Sequence, residues 1–314
     1  MSDPVTVRPI EEVAAAVASW ESAGERVEVH GHHIWCARFG AAGPVPQGNP
    51  PLLILHGFPS CSFDWSAALP ALRQQRDVVV LDFVGFGLSD KPDQRYSLRN
   101  YADGVEAVAA HFGLTEVDLL THDMGDSVGG EILARSLEGT LGFTIRRRVL
   151  TNGSIYIDMA QLTIGQQLLL GLPDAQEAAV GADGGVAFRA GLIGTFAPDT
   201  VLDARTELEL DAVVAMSVRS DGLSMLPRTI RYIEDRRAEE RRFTGAIETH
   251  PSPIGVVWGD LDPVAVHDMA VKLTTEARPG TPLVTLDGVG HYPMVEAPDR
   301  LAAAVLDLLD RQLT

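Results

Sequence analysis

The stretch THDMGDSVGGE, Thr121 to Glu131, offers two nucleophiles whose chemistries exclude one another. A glycine-x-serine-x-glycine bend over Gly125–Gly129 would raise Ser127 to attack esters and amides. A bend over Thr121–Gly125 would instead raise Asp123, whose carboxylate displaces a leaving group from saturated carbon. Such a nucleophile stands at the first residue after a strand, ahead of a helix whose leading amides face the reacting atom. The apolar run VDLLTH closes at His122, and putting Ser127 at the apex would drag the strand through Asp123, Gly125 and Asp126, which are poor strand formers. Asp123 fits the register. Ser127 then falls in the first helical turn, where Val128, Ile132 and Leu133 begin an apolar stripe.

An aspartate ahead of a helix is also an ordinary cap, so Asp123 needs partners elsewhere in the chain. HGFPSCSFDW (His56 to Trp65) follows an earlier strand run and can present the Phe58 backbone N–H beside that of Met124 as an oxyanion hole. WGDLDPV supplies an acid after a late strand, Asp260 or Asp262, and GVGHYPMVEAP supplies His291 after the last. An ionised carboxylate needs no base to attack, which leaves the histidine for a second step: deprotonating the water that hydrolyses an ester on Asp123. His56 and His122 flank this backbone, with packing or bonds to loop carbonyls as their expected roles.

Positioning these residues requires strands that all deliver their carboxyl ends to one side. PLLILHG, DVVVLDF, VDLLTH, RRVLTNG and PIGVVWG are short apolar runs of the kind covered on both faces, as in a parallel sheet. The segments RNYADGVEAVAAHFG and GGEILARSLEG between them carry helical spacing, so the fold class is α/β, a mostly parallel, doubly wound sheet. ERVEVHGHHIWCARFG suits an antiparallel hairpin broken at Gly31. Between about Ile155 and Ile247 helical patterns continue but strand runs lapse. The expected organisation is a core of residues 25–154 and 248–314, a helical lid inserted over 155–247, and an N-terminal segment 1–24.

Among 314 residues, 46% are hydrophobic and 22% charged, with a net charge of −18. That balance works against a nucleic-acid partner, which demands clustered Lys and Arg, and no apolar run is long enough to cross a bilayer. MSDPVTVRPIEEV lacks the basic-then-apolar order of a secretory signal, so the expected compartment is the cytoplasm. Cys36 and Cys61 form no disulfide framework, and His30, His32 and His33 lack a companion carboxylate or cysteine cluster. Neither a metal nor an organic cofactor is expected.

HGFPSCSFDW, LDFVGFGLSDKP, LLTHDMGDSVGGE, LTNGSIY, RYIEDRR, LDPV and HYPMVE occur in this order. From Glu25 onward the chain resembles the α/β-hydrolase superfamily, in the branch of epoxide hydrolases and haloalkane dehalogenases, and more narrowly the mesoderm-specific transcript family. The resemblance implies the α/β-hydrolase fold, Asp262 rather than Asp260 as the acid behind His291, and lid tyrosines that protonate an opened epoxide. Tyr156 and Tyr232 are the tyrosines inside the expected lid. Dehalogenases of this branch hold the halide with a tryptophan after the nucleophile and often an asparagine after the His-Gly; Met124 and Phe58 occupy those positions. The expected activity is therefore epoxide hydrolysis of a hydrophobic small molecule by Asp123, His291 and Asp262. A haloalkane dehalogenase, a serine carboxylesterase using Ser127 and a non-catalytic binding protein are the alternatives. Homodimerisation is left open.

Overall fold

The computed structural model describes residues 10–311. Eight strands form one sheet: β1 (Glu25–Val29), β2 (His32–Phe39), β3 (Leu52–Leu55), β4 (Val78–Leu81), β5 (Glu116–His122), β6 (Thr144–Thr151), β7 (Ile254–Gly259) and β8 (Leu283–Leu286). They lie in the order β1-β2-β4-β3-β5-β6-β7-β8. β1, β2 and β4 pair antiparallel, and the rest pair parallel. The β1–β2 hairpin turns at His30 and Gly31, whose φ values of 52° and 79° give the left-handed pair that a tight hairpin requires.

Alternate residues of the short central strands feed different layers. Leu53, Leu55, Val79 and Leu81 face one layer, while Leu52, Ile54, Val78 and Val80 face the other. Both faces are covered, which is why these runs are apolar throughout rather than alternating. The first layer contains helices α2 (Leu98–His111) and α3 (Met124–Leu137). N-terminal to the sheet, α1 (Ile10–Ser22) packs Val17 and Trp20 into the second layer beside Trp35 and Phe63.

Between β6 and β7 the described chain is chiefly helical: α4 (Ile164–Gly171), α5 (Val186–Ile193), α6 (Ala204–Val218), α7 (Tyr232–Ala238) and α8 (Glu240–Thr249), joined by loops and, between α6 and α7, by two short helical turns. They do not act alike. α8 lies in the first layer against α3, so closely that a Cβ on Gly130 would come 2.8 Å from the Phe243 carbonyl oxygen. α4 has no buried residue. After β8, α9 (Pro298–Asp310) closes the second layer through Leu301, Val305 and Leu308.

Because β3 connects outward to β4 and the chain then returns to β5 on β3's other side, the order reverses between β3 and β5. In open α/β sheets such a reversal opens a crevice beyond the carboxyl ends of the strands. Leu55 pairs with Thr121, so Phe58 and Asp123 emerge side by side there. At the opposite end, the fully buried Asp118 takes hydrogen bonds from Arg76 and from Arg147, which ties β5 and β6 together. No described helix is long and apolar enough to cross a membrane.

Candidate active site

Asp123 follows β5 directly and holds φ 50°, ψ −116°, a conformation costly for any residue with a Cβ. Its side chain caps nothing in α3. One oxygen, Oδ1, accepts the Phe58 backbone N–H at 2.7 Å; the other, Oδ2, lies 3.6 Å from His291 Nε2 and has no hydrogen bond. Burial would raise this carboxyl, but the His291 ring, His122 and the Met124 amide outweigh it and hold the pKa below the usual aspartate value. The tight bend needs Gly125, since a Cβ there would sit 2.5 Å from the Leu55 carbonyl oxygen.

His291 donates from Nδ1 to Asp262 Oδ2 at 2.8 Å. Burial alone would lower its pKa, yet Asp262 on one side and Asp123 on the other carry it up to about 10. Asp262 is fixed in turn: its Oδ1 accepts the Val264 and Ala265 N–H groups at 2.7 and 2.9 Å, and Oδ2 also accepts Asn152 Nδ2 at 2.8 Å. Asp260 faces outward and accepts the Gly288 N–H, away from the imidazole.

Sequence reasoning gave Asn152 no firm role. With φ 44° just past β6, it donates to both Asp262 and the Gly290 carbonyl and accepts the Gly259 N–H, clamping the loops after β7 and β8. Its position at the end of a central strand was the available signal. His122 donates from Nε2 to the His291 carbonyl at 2.8 Å, and burial with the nearby His291 pushes its pKa down to about 4. His56 bridges the Gly57 carbonyl and the Phe83 N–H. His30, His32 and His33 pair separately with Asp103, Gln94 and Asp90.

Ser127 lies a turn into α3 and faces Ser154, Arg236 and Phe243, not the imidazole. The two tyrosines part company. Tyr232 is buried with its ring 5.7 Å from that of Phe58, and Asp123 is the charge that most raises its pKa after burial itself. Tyr156 points elsewhere: its hydroxyl donates to Glu248 on α8 at 3.3 Å, and Lys272 sits 4.3 Å from its ring centre. The expectation that Tyr156 reaches the reacting atoms is corrected, because β6 ends in a turn that sends it under α8. Tyr292, not singled out from sequence, has its hydroxyl 3.4 Å from the Phe58 carbonyl.

Beside the His291 imidazole lies a cavity of about 310 Å³ lined by Phe58, Leu169, Phe188, Leu223, Val264 and His291 among others. Its walls are chiefly aliphatic and aromatic, and they come from α4 and α5 as well as from the loops after the strands. Apolar walls with a buried imidazole at one side are the general make-up of a small-molecule pocket.

Comparison with known proteins agrees with this layout. Residues 52–304 match the model of the Alpha/beta hydrolase family. The LipZ protein of Mycobacterium tuberculosis is 42% identical over 84% of this chain and 90% of its own length. The mesoderm-specific transcript protein of Mus musculus is 32% identical over 92% and 87%. Among solved structures, an alpha/beta hydrolase fold protein from Burkholderia ambifaria superposes with a TM-score of 0.71 at 24% identity, covering 90% of this chain and 97% of that one. Strand order, bend, acid and histidine, together with these likenesses, establish that the chain belongs to the alpha/beta hydrolase family.

Proposed function

We propose that this chain is a hydrolase with Asp123 as nucleophile, working through a covalent ester, and that its substrate is an apolar epoxide. The observation that carries the proposal is the pair of Asp123 oxygens, one held by the Phe58 amide and the other unbonded and 3.6 Å from His291. Attack on carbon uses the unbonded oxygen. When the ester carbonyl is itself attacked by water, the amides of Phe58 and Met124 would receive the developing oxyanion.

Charge bookkeeping separates the two steps. With both carboxylates ionised, His291 favours its protonated form, since its pKa stands at about 10. Alkylation of Asp123 removes one of those charges, which lowers the ring's proton affinity when a base is wanted. Asp262 then stabilises the imidazolium that forms on taking the water's proton.

Epoxide rather than halide is favoured by the donors present. No side-chain N–H is available from Met124 or Phe58, whereas Tyr232 is buried with its ring against Phe58, near enough to Asp123 for that charge to bear on its phenol. A buried tyrosine hydroxyl ordinarily finds a partner; here the opened epoxide oxygen would serve. The helices α4 to α7 act in this scheme as a lid over an apolar chamber.

The test is His291→Gln protein incubated with styrene oxide. Mass spectrometry should find an adduct accumulating on Asp123, because alkylation proceeds and hydrolysis lacks its base. In the parent protein, a single turnover in oxygen-18 water should label Asp123 before the diol. Label entering the diol first would exclude the ester route, and loss of turnover on Ser127→Ala would favour the serine alternative.

A further inference from the structure

Arg236 is a buried cation without a counter-ion. It is 5% exposed, forms no ion pair among the described residues, and makes one hydrogen bond there, from its guanidinium to the Ser154 carbonyl. Leaving a charge in such a place is costly and calls for a reason. Asp126 does not supply it. That carboxyl accepts the Thr121 hydroxyl through Oδ1, while its Oδ2 has no hydrogen bond and lies against Gly153, where a Cβ would be 1.5 Å away. Burial, with the Asp123 charge adding to it, pushes Asp126 up to about 8, and no ion pair joins it to Arg236 among the described residues.

What Arg236 does share is a helix face with Tyr232. The two are four residues apart on α7, the spacing that places side chains over one another. Both border a small void of about 30 Å³, and two residues of its wall, Gln166 and Val264, also line the main cavity. The charges acting on this pair come from several elements: Asp123 at the bend, Asp126 on α3, Glu240 on α8, and the phenols of Tyr101 on α2 and Tyr292 after β8. All of these are acids; Arg237 also borders the void but is exposed, so Arg236 is the buried cation against which a negative charge on the Tyr232 oxygen would be set.

We propose that Arg236 is a positioning residue for the leaving charge, stabilising the phenolate left on Tyr232 when its proton passes to the opened epoxide. The inference rests on the ester reading above. As the bond between an Asp123 oxygen and the substrate carbon forms, the carbon–oxygen bond of the epoxide breaks and its electron pair stays on oxygen. That oxygen takes the Tyr232 proton. The phenolate regains a proton in the second step from the water that His291 deprotonates, so one epoxide and one water give one diol.

The experiment follows adduct formation from styrene oxide in the His291→Gln background as a function of pH. Arg236→Met should slow alkylation roughly tenfold or more at neutral pH. It should also move the alkaline limit of that rate upward, because a phenol without a neighbouring cation holds its proton longer. Arg236→Lys keeps the charge and should keep the limit near that of the parent, and combining Arg236→Met with Tyr232→Phe should add no further slowing. Slowing that is equal at every pH, a limit that moves as far with lysine as with methionine, or full additivity with Tyr232→Phe would overturn the proposal. Absence of any adduct in the His291→Gln protein itself would instead overturn the ester reading beneath it.

Discussion

Replacing Gly125 by alanine tests whether the clearance at the bend sets the position of Asp123. The new Cβ would lie 2.5 Å from the Leu55 carbonyl oxygen and 2.8 Å from that of His56, against ordinary contact near 3.4 Å. Both oxygens belong to main chain at the end of β3, which is hydrogen-bonded to strands on either side and cannot yield. The start of α3 must therefore withdraw by about 0.9 Å, taking Asp123 off the Phe58 amide, and misplacement on the order of 1 Å costs about a hundredfold in rate. Overpacking of this kind also costs roughly 1–3 kcal/mol in stability. The assay is the rate of styrene oxide adduct formation on Asp123 in the His291→Gln background, with a thermal melt alongside. Gly129→Ala is the control: its Cβ would lie 3.1 Å from the Thr121 methyl, so a few tenths of an ångström of movement relieves it, and alanine gains up to about 1 kcal/mol of helix propensity. Gly129→Ala should be near neutral. If Gly125→Ala alkylates within about twofold of its parent, the clearance argument is wrong.

His291 also makes stability depend on pH. Its pKa rises from 6.5 to about 10 on folding, so its contribution is fully present below 6.5 and lost as pH climbs through about 10. Asp262→Asn should lower the melting temperature at neutral pH and flatten the decline across that window; parallel curves for the two proteins would exclude this account. In epoxide turnover, Tyr232→Phe should cost on the order of 10²–10⁴-fold, the usual worth of a proton donor. Tyr156→Phe should change turnover by less than about twofold, because its hydroxyl is spent on Glu248. A reversed ranking would mean that the donor has been misassigned.

The central sheet was legible because buried parallel strands have a plain signature. VDLLTH anticipates β5 ending at His122, and the runs at Leu52, Val78 and Ile254 are strands within a residue or two of where their polar or glycine ends put them. β8 is harder to read, since Leu283, Val284 and Thr285 lie at an edge and remain partly exposed, with no continuous apolar face to mark them. α1 likewise fully buries only Val17 and Trp20. At the site, residues that follow strands were readable from order and spacing. Roles set by what a side chain meets across the fold were not: Asn152 reaching Asp262, Tyr156 turning under α8, and Arg236 reaching the Ser154 carbonyl from a helix far away in sequence.

The left-handed backbone at residue 123 has an evolutionary consequence. An aspartate at φ 50° carries strain of about 1–3 kcal/mol that glycine would relieve, and a single-base change converts one codon to the other. Selection for folding alone therefore runs downhill toward losing the carboxylate, so a lineage that still carries it after long divergence is being held there by use. The identity of that one side chain in descendants is a natural record of whether they still catalyse anything.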